Sequence, residues 1–169
     1  MRFKLIGTLA AVVLLAACET APQNQAATGS TGAAAAPAAA APAPATRPGP
    51  RPGSQEDLVQ NVGDRVFYDY DKSELRPEAR RTVERWAAWL RQYPQVTVTI
   101  EGHADERGTR EYHIALGERR ATAARNFLVS QGIEARRVAT ISYGKERPAV
   151  LGSNEAAWSQ NRRGVMQVN

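Results

Sequence analysis

The fold is decided by residues 101–128, EGHADERGTREYHIALGERRATAARNFL, where a polar loop joins a strand to a helix. Residues 95–102 (QVTVTIEG) alternate between apolar and polar side chains, which predicts a half-buried strand. After the loop, apolar residues return at helical spacing from about residue 111 to residue 130, and Gly132 ends this pattern. The order of these segments predicts a helix packed on one face of a sheet.

One arginine lies in the apolar face of this helix. At about 100° per residue, Arg120 shares a face with Gly117, Ala124 and Leu128, whereas Arg119 falls outside it. Arginine is almost never fully buried without a partner, so Arg120 requires an anion from the protein or from a ligand. The alternative is that its aliphatic stem covers apolar surface while the guanidinium reaches solvent.

The direction of Arg120 points to a binding site. Helical side chains lean towards the N-terminus of their helix, so Arg120 points back to the loop GHADERGT at 102–109. Asp105 and Glu106 lie in this loop, near the positive end of the helix dipole. An acidic and a basic side chain facing one crevice suit a zwitterion: Asp105 would accept an ammonium group, and Arg120 would bind a carboxylate.

The flanking sequence completes a small alternating fold. We expect strands at residues 65–71, 137–144 and 164–169, and helices at residues 76–94 and 153–163. Pro77 suits the first turn of the earlier helix. The order β-α-β-α-β-α-β predicts an α+β fold, a two-layer sandwich with helices on one face of a small sheet.

Residues 1–57 are interpreted as targeting and linker segments. Residues 1–17 combine a basic start with an apolar run too short for a membrane span, which is typical of a signal peptide. LAAC at 15–18 resembles a bacterial lipobox, which would make Cys18 a lipidation site; ordinary secretion would leave a free thiol. Residues 19–57 are rich in alanine and proline and cannot offset the entropy of ordering. The globular domain is therefore expected at residues 58–169.

Composition excludes some classes of function. The chain has 169 residues and one cysteine, so it forms no intramolecular disulfide. Its net charge is +5, but residues 58–169 carry 18 Lys and Arg against 14 Asp and Glu. Because nucleic-acid binding requires basic charge concentrated on one face, no nucleic-acid partner is expected.

The stretch at 101–128 resembles the peptidoglycan-binding core of the OmpA-like domain family. FYDYDKSEL at 67–75 and ISYGKERPAVLGSNEAAWSQNRR at 141–163 match the family in order and spacing, and the lipobox adds a resemblance to its peptidoglycan-associated lipoproteins. The resemblance implies a βαβαβ(α)β two-layer sandwich with helices packed on a small mixed sheet. It also implies a binding protein that is not an enzyme and has no cofactor or metal.

The resemblance further implies a ligand and its contacts. Family members bind the diaminopimelate side chain of peptidoglycan stem peptides through an aspartate and an arginine, which match Asp105 and Arg120. Asp69 matches a position near the ligand, and Leu116 matches a leucine beneath the site. His113 stands where the family usually has asparagine, so we expect binding with some pH dependence, because imidazole changes charge near neutral pH.

The resemblance also implies a location and partners. The protein would be anchored by lipid, including palmitate, at Cys18 on the periplasmic face of the outer membrane, and would tether that membrane to the cell wall. Glu19 favours this location, since the family's inner-membrane retention signal is typically aspartate. TolB and other Tol proteins are the implied partners, with roles in envelope integrity and in outer-membrane constriction during cell division. TolB is expected to compete with peptidoglycan.

Three alternative interpretations remain open at this point. His103, Asp105, Glu106, Glu111 and His113 could be metal ligands of a hydrolase, although the two histidines lack a paired helical spacing. An Arg120–Asp105 pair could be an internal salt bridge of a scaffold, in which case its loss would mainly affect stability.

The third alternative is a carbohydrate platform of tryptophans. Helical spacing instead predicts that Trp86 belongs to the core and that Trp89 is partly exposed. Trp158 is expected to dock the last helix.

Overall fold

The computed structural model describes residues 49–169, so the expectations for residues 1–17, Cys18, Glu19 and most of the linker lie outside the described residues. The elements, in chain order, are α1 (Gln55–Asn61), β1 (Arg65–Phe67), α2 (Pro77–Gln92), β2 (Val98–His103), α3 (Arg110–Ser130), a 3-10 helix (Ala135–Arg137), β3 (Val138–Gly144), α4 (Glu155–Asn161) and β4 (Arg163–Val168). Across residues 49–169, no helix combines the length and the apolar character that spanning a membrane requires.

The four strands form one mixed sheet in the order β1-β4-β2-β3. β2 and β3 are parallel, whereas β4 is antiparallel to both β1 and β2. Parallel neighbours need a long crossover connection, and α3 supplies it between β2 and β3. The expected α+β fold with helices on a small mixed sheet is confirmed.

A single hydrophobic cluster joins the helices to the sheet. Trp86 of α2 is fully buried, as its helical spacing predicts, together with Leu90 of the same helix. Val98 and Ile100 of β2 belong to the same cluster and are also fully buried. The period-2 pattern of residues 95–102 therefore separates a core face of β2 from the opposite face of the sheet.

Two glycines let α3 lie directly on β2. A Cβ atom on Gly102 would come within 1.8 Å of the carbonyl oxygen of Gly117, and one on Gly117 would come within 2.3 Å of Ser142 Oγ. Only glycine allows this approach of helix backbone to strand backbone. Gly102 lies three residues before Asp105, and Gly117 lies three residues before Arg120. The contact between the two glycines therefore fixes the distance between the loop after β2 and the first half of α3.

Helix α1 was not expected from the sequence, and it crosses the boundary we placed at residue 58. Ser54 caps this helix by accepting a hydrogen bond from the backbone of Asp57, and Leu58 is fully buried. The Gln55 amide donates to Met166 O at 3.3 Å and accepts from the Val168 backbone N–H at 2.8 Å. The three-residue β1 is too short to pair with the second half of β4. The side chain of Gln55 supplies hydrogen bonds to the backbone of β4 there instead.

The expectation that Trp89 is partly exposed is wrong, because α1 covers it. Trp89 is 5% exposed, and its indole N–H donates to Asp57 Oδ2 at 2.9 Å. The backbone N–H of Gly53 donates to the same oxygen at 2.9 Å. These hydrogen bonds, led by that of Gly53, hold the pKa of Asp57 below its usual range.

Candidate functional site

A small crevice lies beyond the end of β2, between the β1–α2 loop, the β2–α3 loop and the first half of α3. Four of the expected site residues line it: Asp105, His113, Leu116 and Arg120. Four further residues that the sequence argument did not select line it too: Tyr70, Asp71, Arg107 and Tyr112. The expected Asp69 is not among the lining residues.

Arg120 is fully buried and makes three hydrogen bonds to backbone carbonyls. Its Nε donates to Lys72 O at 2.8 Å, one terminal nitrogen donates to His103 O at 2.8 Å, and the other donates to Asp69 O at 3.1 Å. Burial lowers the pKa of Arg120 to about 10, so the guanidinium stays charged at neutral pH. The alternative in which this head group reaches solvent is therefore wrong.

Tyr68 holds the helix that carries Arg120. The phenol is 2% exposed and donates to Arg120 O at 2.8 Å, while its ring centre lies 5.3 Å from the Arg120 guanidinium carbon. Burial raises the pKa of Tyr68, so the hydroxyl keeps its proton. Arg120 is therefore fixed at its backbone and at its guanidinium.

Asp105 is a buried carboxylate that is surrounded by cations. It is 3% exposed, and its Oδ2 accepts from Arg107 at 2.6 Å and from Arg162 at 3.4 Å. Burial acts to raise the pKa of Asp105, but the hydrogen bonds from the Arg107 side chain and backbone outweigh it, and the pKa lies below its usual value. Among residues 49–169 it has no ion pair with Arg120, so the internal salt bridge that the scaffold interpretation needs is not formed.

His113 and Leu116 come from consecutive turns of α3. The His113 ring is 3% exposed, with Nδ1 3.0 Å from Thr109 O, which assigns the donor N–H to Nδ1. Its Nε2 lies 4.0 Å from Asp105 Oδ1. Leu116 is 4% exposed and adds an apolar surface to the crevice.

The two aspartates of the loop after β1 have different surroundings. The Asp69 carboxylate is 57% exposed and pairs with Arg76 at 3.2 Å, so only its backbone carbonyl reaches the site, through Arg120. Asp71 lines the crevice and accepts a hydrogen bond from the Tyr112 hydroxyl. Its φ of 56° is a conformation that aspartate tolerates better than most residues. This turn also ends β1 at Phe67, earlier than expected.

Arg107 covers one side of the crevice. Its guanidinium carbon lies 4.2 Å from the ring centre of Tyr70 and 4.0 Å from that of Trp158, so Arg107 makes cation–π contacts with both rings. The Trp158 indole donates to Glu106 Oε1 at 3.0 Å and so docks α4 on the β2–α3 loop. The sequence argument missed Arg107 because an arginine in a polar loop is usually a solvated charge.

The competing interpretations do not fit this arrangement. The His103 ring packs against Tyr143, with 5.6 Å between ring centres, and does not line the crevice with His113. Within the described part of the chain, no three His, Cys, Asp or Glu side chains lie close enough together to hold a metal ion. Trp86 and Trp89 are buried and cannot form a platform for sugars.

Residues 67–162 match the OmpA family, a span that includes every residue lining the crevice. The chain belongs to the OmpA family. This family is structural and non-enzymatic, so membership confirms the expectation that the protein is not an enzyme.

Several OmpA-family relatives are named peptidoglycan-associated lipoprotein, which confirms the resemblance found in the sequence. The protein from Agrobacterium fabrum is 57% identical over 114 residues, which are 68% of this chain and 64% of that protein. The protein from Brucella melitensis is 55% identical over 118 residues, 70% of each chain. The protein from Mesorhizobium japonicum is 48% identical over 159 residues, 93% of this chain and 86% of that one.

Solved structures support the same OmpA-like fold. The crystal structure of the peptidoglycan-associated lipoprotein from Burkholderia pseudomallei has a TM-score of 0.63 and 34% identity, and it covers 67% of this chain and all of that chain. The C-terminal domain of Helicobacter pylori MotB has a TM-score of 0.59, covering 63% of this chain and 84% of that one. Its identity is 18%, so that likeness concerns the fold alone.

Proposed function

We propose that the crevice binds the zwitterionic end of a diaminopimelate side chain in the stem peptides of peptidoglycan. The observation that carries this proposal is that Asp105 and Arg120, two buried and oppositely charged side chains, line the same crevice without pairing with each other. The end of diaminopimelate carries an ammonium and a carboxylate on one carbon, which is the ligand chemistry that these two groups suit. The names of the relatives, which refer to association with peptidoglycan, support the assignment.

Each lining residue has a role in this proposal. Asp105 accepts hydrogen bonds from the ammonium, and Asp71 adds a second negative charge to that part of the crevice. Arg120 has five N–H groups and uses three on backbone carbonyls, which leaves two for the ligand carboxylate. Leu116 contacts the methylene chain of the ligand, and Asp69 contributes by holding Arg120 through its carbonyl oxygen.

The wider function follows from anchoring this domain to a membrane. We propose that Cys18 carries lipid in the outer membrane and that the alanine- and proline-rich segment links it to the wall-binding domain on the periplasmic side. The protein would then tether the outer membrane to the cell wall by non-covalent binding. As part of a Tol–Pal system it would bind TolB and other Tol proteins and take part in envelope integrity and in constriction at division.

Sedimentation with purified sacculi tests the binding step. Full-length protein in mild detergent should pellet with sacculi, and Asp105→Asn should reduce pelleting about tenfold or more, because it removes the charge that the ammonium needs. Glu111→Gln, an exposed acidic residue of α3 that does not line the crevice, is the matched control and should pellet normally. Unchanged pelleting of Asp105→Asn, or normal binding to sacculi stripped of stem peptides, would refute the proposal.

A further inference from the structure

We propose that Arg107 selects the ligand by exchanging partners: it releases Asp105 to the ligand ammonium and binds the ligand carboxylate instead. This inference rests on the proposed function, because it assumes a ligand with both groups. Arg107 would then discriminate between a side chain that ends in a zwitterion and one that ends in an ammonium alone. Diaminopimelate and lysine, at the same position of a stem peptide, differ in this respect.

The Oδ2 atom of Asp105 cannot accept a ligand ammonium until one of its two cations moves. Its carboxylate is 3% exposed, and the Oδ2 atom is held by Arg107 at 2.6 Å and by Arg162 at 3.4 Å. Arg162 is the less mobile of the two, because its side chain is 8% exposed and also binds Glu155 at 2.5 Å and Tyr68 O at 3.2 Å. Arg107 is therefore the cation that the ligand displaces.

Arg107 is placed to move from Asp105 to a ligand. Its side chain is 30% exposed, and within residues 49–169 its only side-chain hydrogen bond is to Asp105. The guanidinium carbon also lies 4.2 Å from the ring centre of Tyr70 and 4.0 Å from that of Trp158. These ring contacts do not use the N–H group that binds Asp105, so an exchange of hydrogen-bond partner does not require their loss.

Among residues 49–169, the Nε–H group of Arg107 lacks a hydrogen-bond acceptor. Its Nε is buried and has no hydrogen-bond partner in the part of the chain that the structure describes. A buried donor without an acceptor is unfavourable, and a carboxylate in the crevice would satisfy it. Arg120, with two N–H groups left, would share that carboxylate with Arg107.

The exchange of partners makes the affinity for a stem peptide depend on the carboxylate of the ligand. A lysine ammonium would break the Arg107–Asp105 contact and leave the guanidinium with only the weaker and more distant Glu155, at 3.9 Å, as a counter-charge among residues 49–169. A diaminopimelate end breaks the same contact and replaces it with a new charge-assisted hydrogen bond. Because such a bond is stronger than a neutral one, we expect a preference for the diaminopimelate peptide of roughly 10-fold to 100-fold.

Calorimetry with two peptides tests this inference. The probes are L-Ala-γ-D-Glu-meso-diaminopimelate and L-Ala-γ-D-Glu-L-Lys, titrated into full-length protein in detergent. Arg107→Gln should reduce the preference between them to about threefold or less, chiefly by weakening the diaminopimelate peptide. Arg110→Gln is the matched control, since Arg110 lies in the same segment, is 65% exposed and pairs with Glu146, and it should keep the wild-type preference.

The outcomes separate this inference from the proposed function. If wild-type protein binds the diaminopimelate peptide but shows no preference, or if Arg107→Gln keeps the preference or weakens both peptides equally, Arg107 is not the selecting residue although the binding function stands. If wild-type protein binds neither peptide, both fail.

A measurement on wild-type protein covers the case in which Arg107→Gln does not fold. The Nε–H proton of Arg107 should gain a hydrogen-bond acceptor, and so exchange more slowly with water, when the diaminopimelate peptide is bound and not when the lysine peptide is bound. Equal slowing with both peptides, or none with either, would overturn the inference.

Discussion

Arg120 in α3 and His103 at the end of β2 are joined by a hydrogen bond of 2.8 Å from the guanidinium to the main-chain carbonyl. The same guanidinium binds the carbonyls of Asp69 and Lys72 in the loop after β1. One side chain therefore connects two walls of the crevice. The residue proposed to bind the ligand carboxylate also fixes the shape of the site.

Arg120→Lys should therefore damage binding and stability together. A lysine keeps the charge but cannot reach three carbonyls in different directions, so we expect a loss of about 2–4 kcal/mol in the free energy of unfolding. Binding to sacculi should fall at least about tenfold. Urea denaturation and sacculus sedimentation measure the two effects. Arg119→Lys, at the neighbouring exposed position, should change neither, and a stable Arg120→Lys protein would contradict the role in shaping the site.

Gly117→Ala should destabilise the domain although it improves helix propensity. In an ordinary helix this change stabilises by up to about 1 kcal/mol. Here the new Cβ would lie 2.3 Å from Ser142 Oγ and 2.8 Å from Gly102 O, so we expect a net loss of about 1–3 kcal/mol. Thermal unfolding provides the measurement. A higher melting temperature would mean that α3 can move away from β2 without penalty.

Protonation of His103 should lower the free energy of unfolding in mild acid. Burial, followed by the charges of Arg163 and Arg147, lowers the pKa of His103 from 6.5 to about 4, while Glu101 Oε2 lies 3.5 Å from its Nε2. The folded state thus binds fewer protons than the unfolded chain, and stability is greatest above pH 6.5 and falls as the pH approaches 4. The expected loss over this window is about 3 kcal/mol.

Urea unfolding between pH 7.5 and about 4 measures how the free energy of unfolding changes with pH. His103→Gln should flatten this dependence, because the variant has no group to protonate there. The carboxylates with lowered pKa values, such as Asp105, should still destabilise both proteins at lower pH. Identical slopes in wild type and variant would show that His103 does not carry the effect.

Removing residues 49–57 from a domain of residues 49–169 should lower its stability. A domain that starts at Leu58 lacks the hydrogen bonds of Gln55 to β4 and of Trp89 to Asp57. We expect a loss of about 2–5 kcal/mol relative to residues 49–169, together with exposure of Trp89. Chemical unfolding followed by tryptophan fluorescence measures both. Equal stabilities would support the expected domain boundary at residue 58.

The sequence predicts the regular elements of this fold well, because their signals extend over many residues. The 21 residues of α3 carry several turns of helical pattern, and apolar and polar residues alternate from Val98 to Glu101 in β2. Helix α1 has seven residues and only one fully buried apolar side chain, Leu58, so it has no period to detect. It forms because Gln55 and Asp57 bond to β4 and to Trp89, contacts between segments far apart in the chain.

The site is predictable where a residue contradicts its local pattern. Arg120 could be identified as a site residue because a charged side chain within the apolar face of a helix is unusual. Arg107 and Asp71 could not, since polar residues in polar loops are unremarkable by themselves. Their importance arises from Trp158 and Tyr112, which approach them only after the chain has folded.

The position of Gln55 determines how this domain would carry a mechanical load. Gln55 bonds to the end of β4 where Val168 pairs with Val98, whereas the crevice opens beyond the other end, where Gly164 pairs with Gly102. A pull on the chain before Gln55, resisted by a ligand held at Asp105, is therefore directed along the strands. Force in this direction shears the β2–β4 hydrogen bonds together instead of opening them one by one, and the sheet resists as a unit.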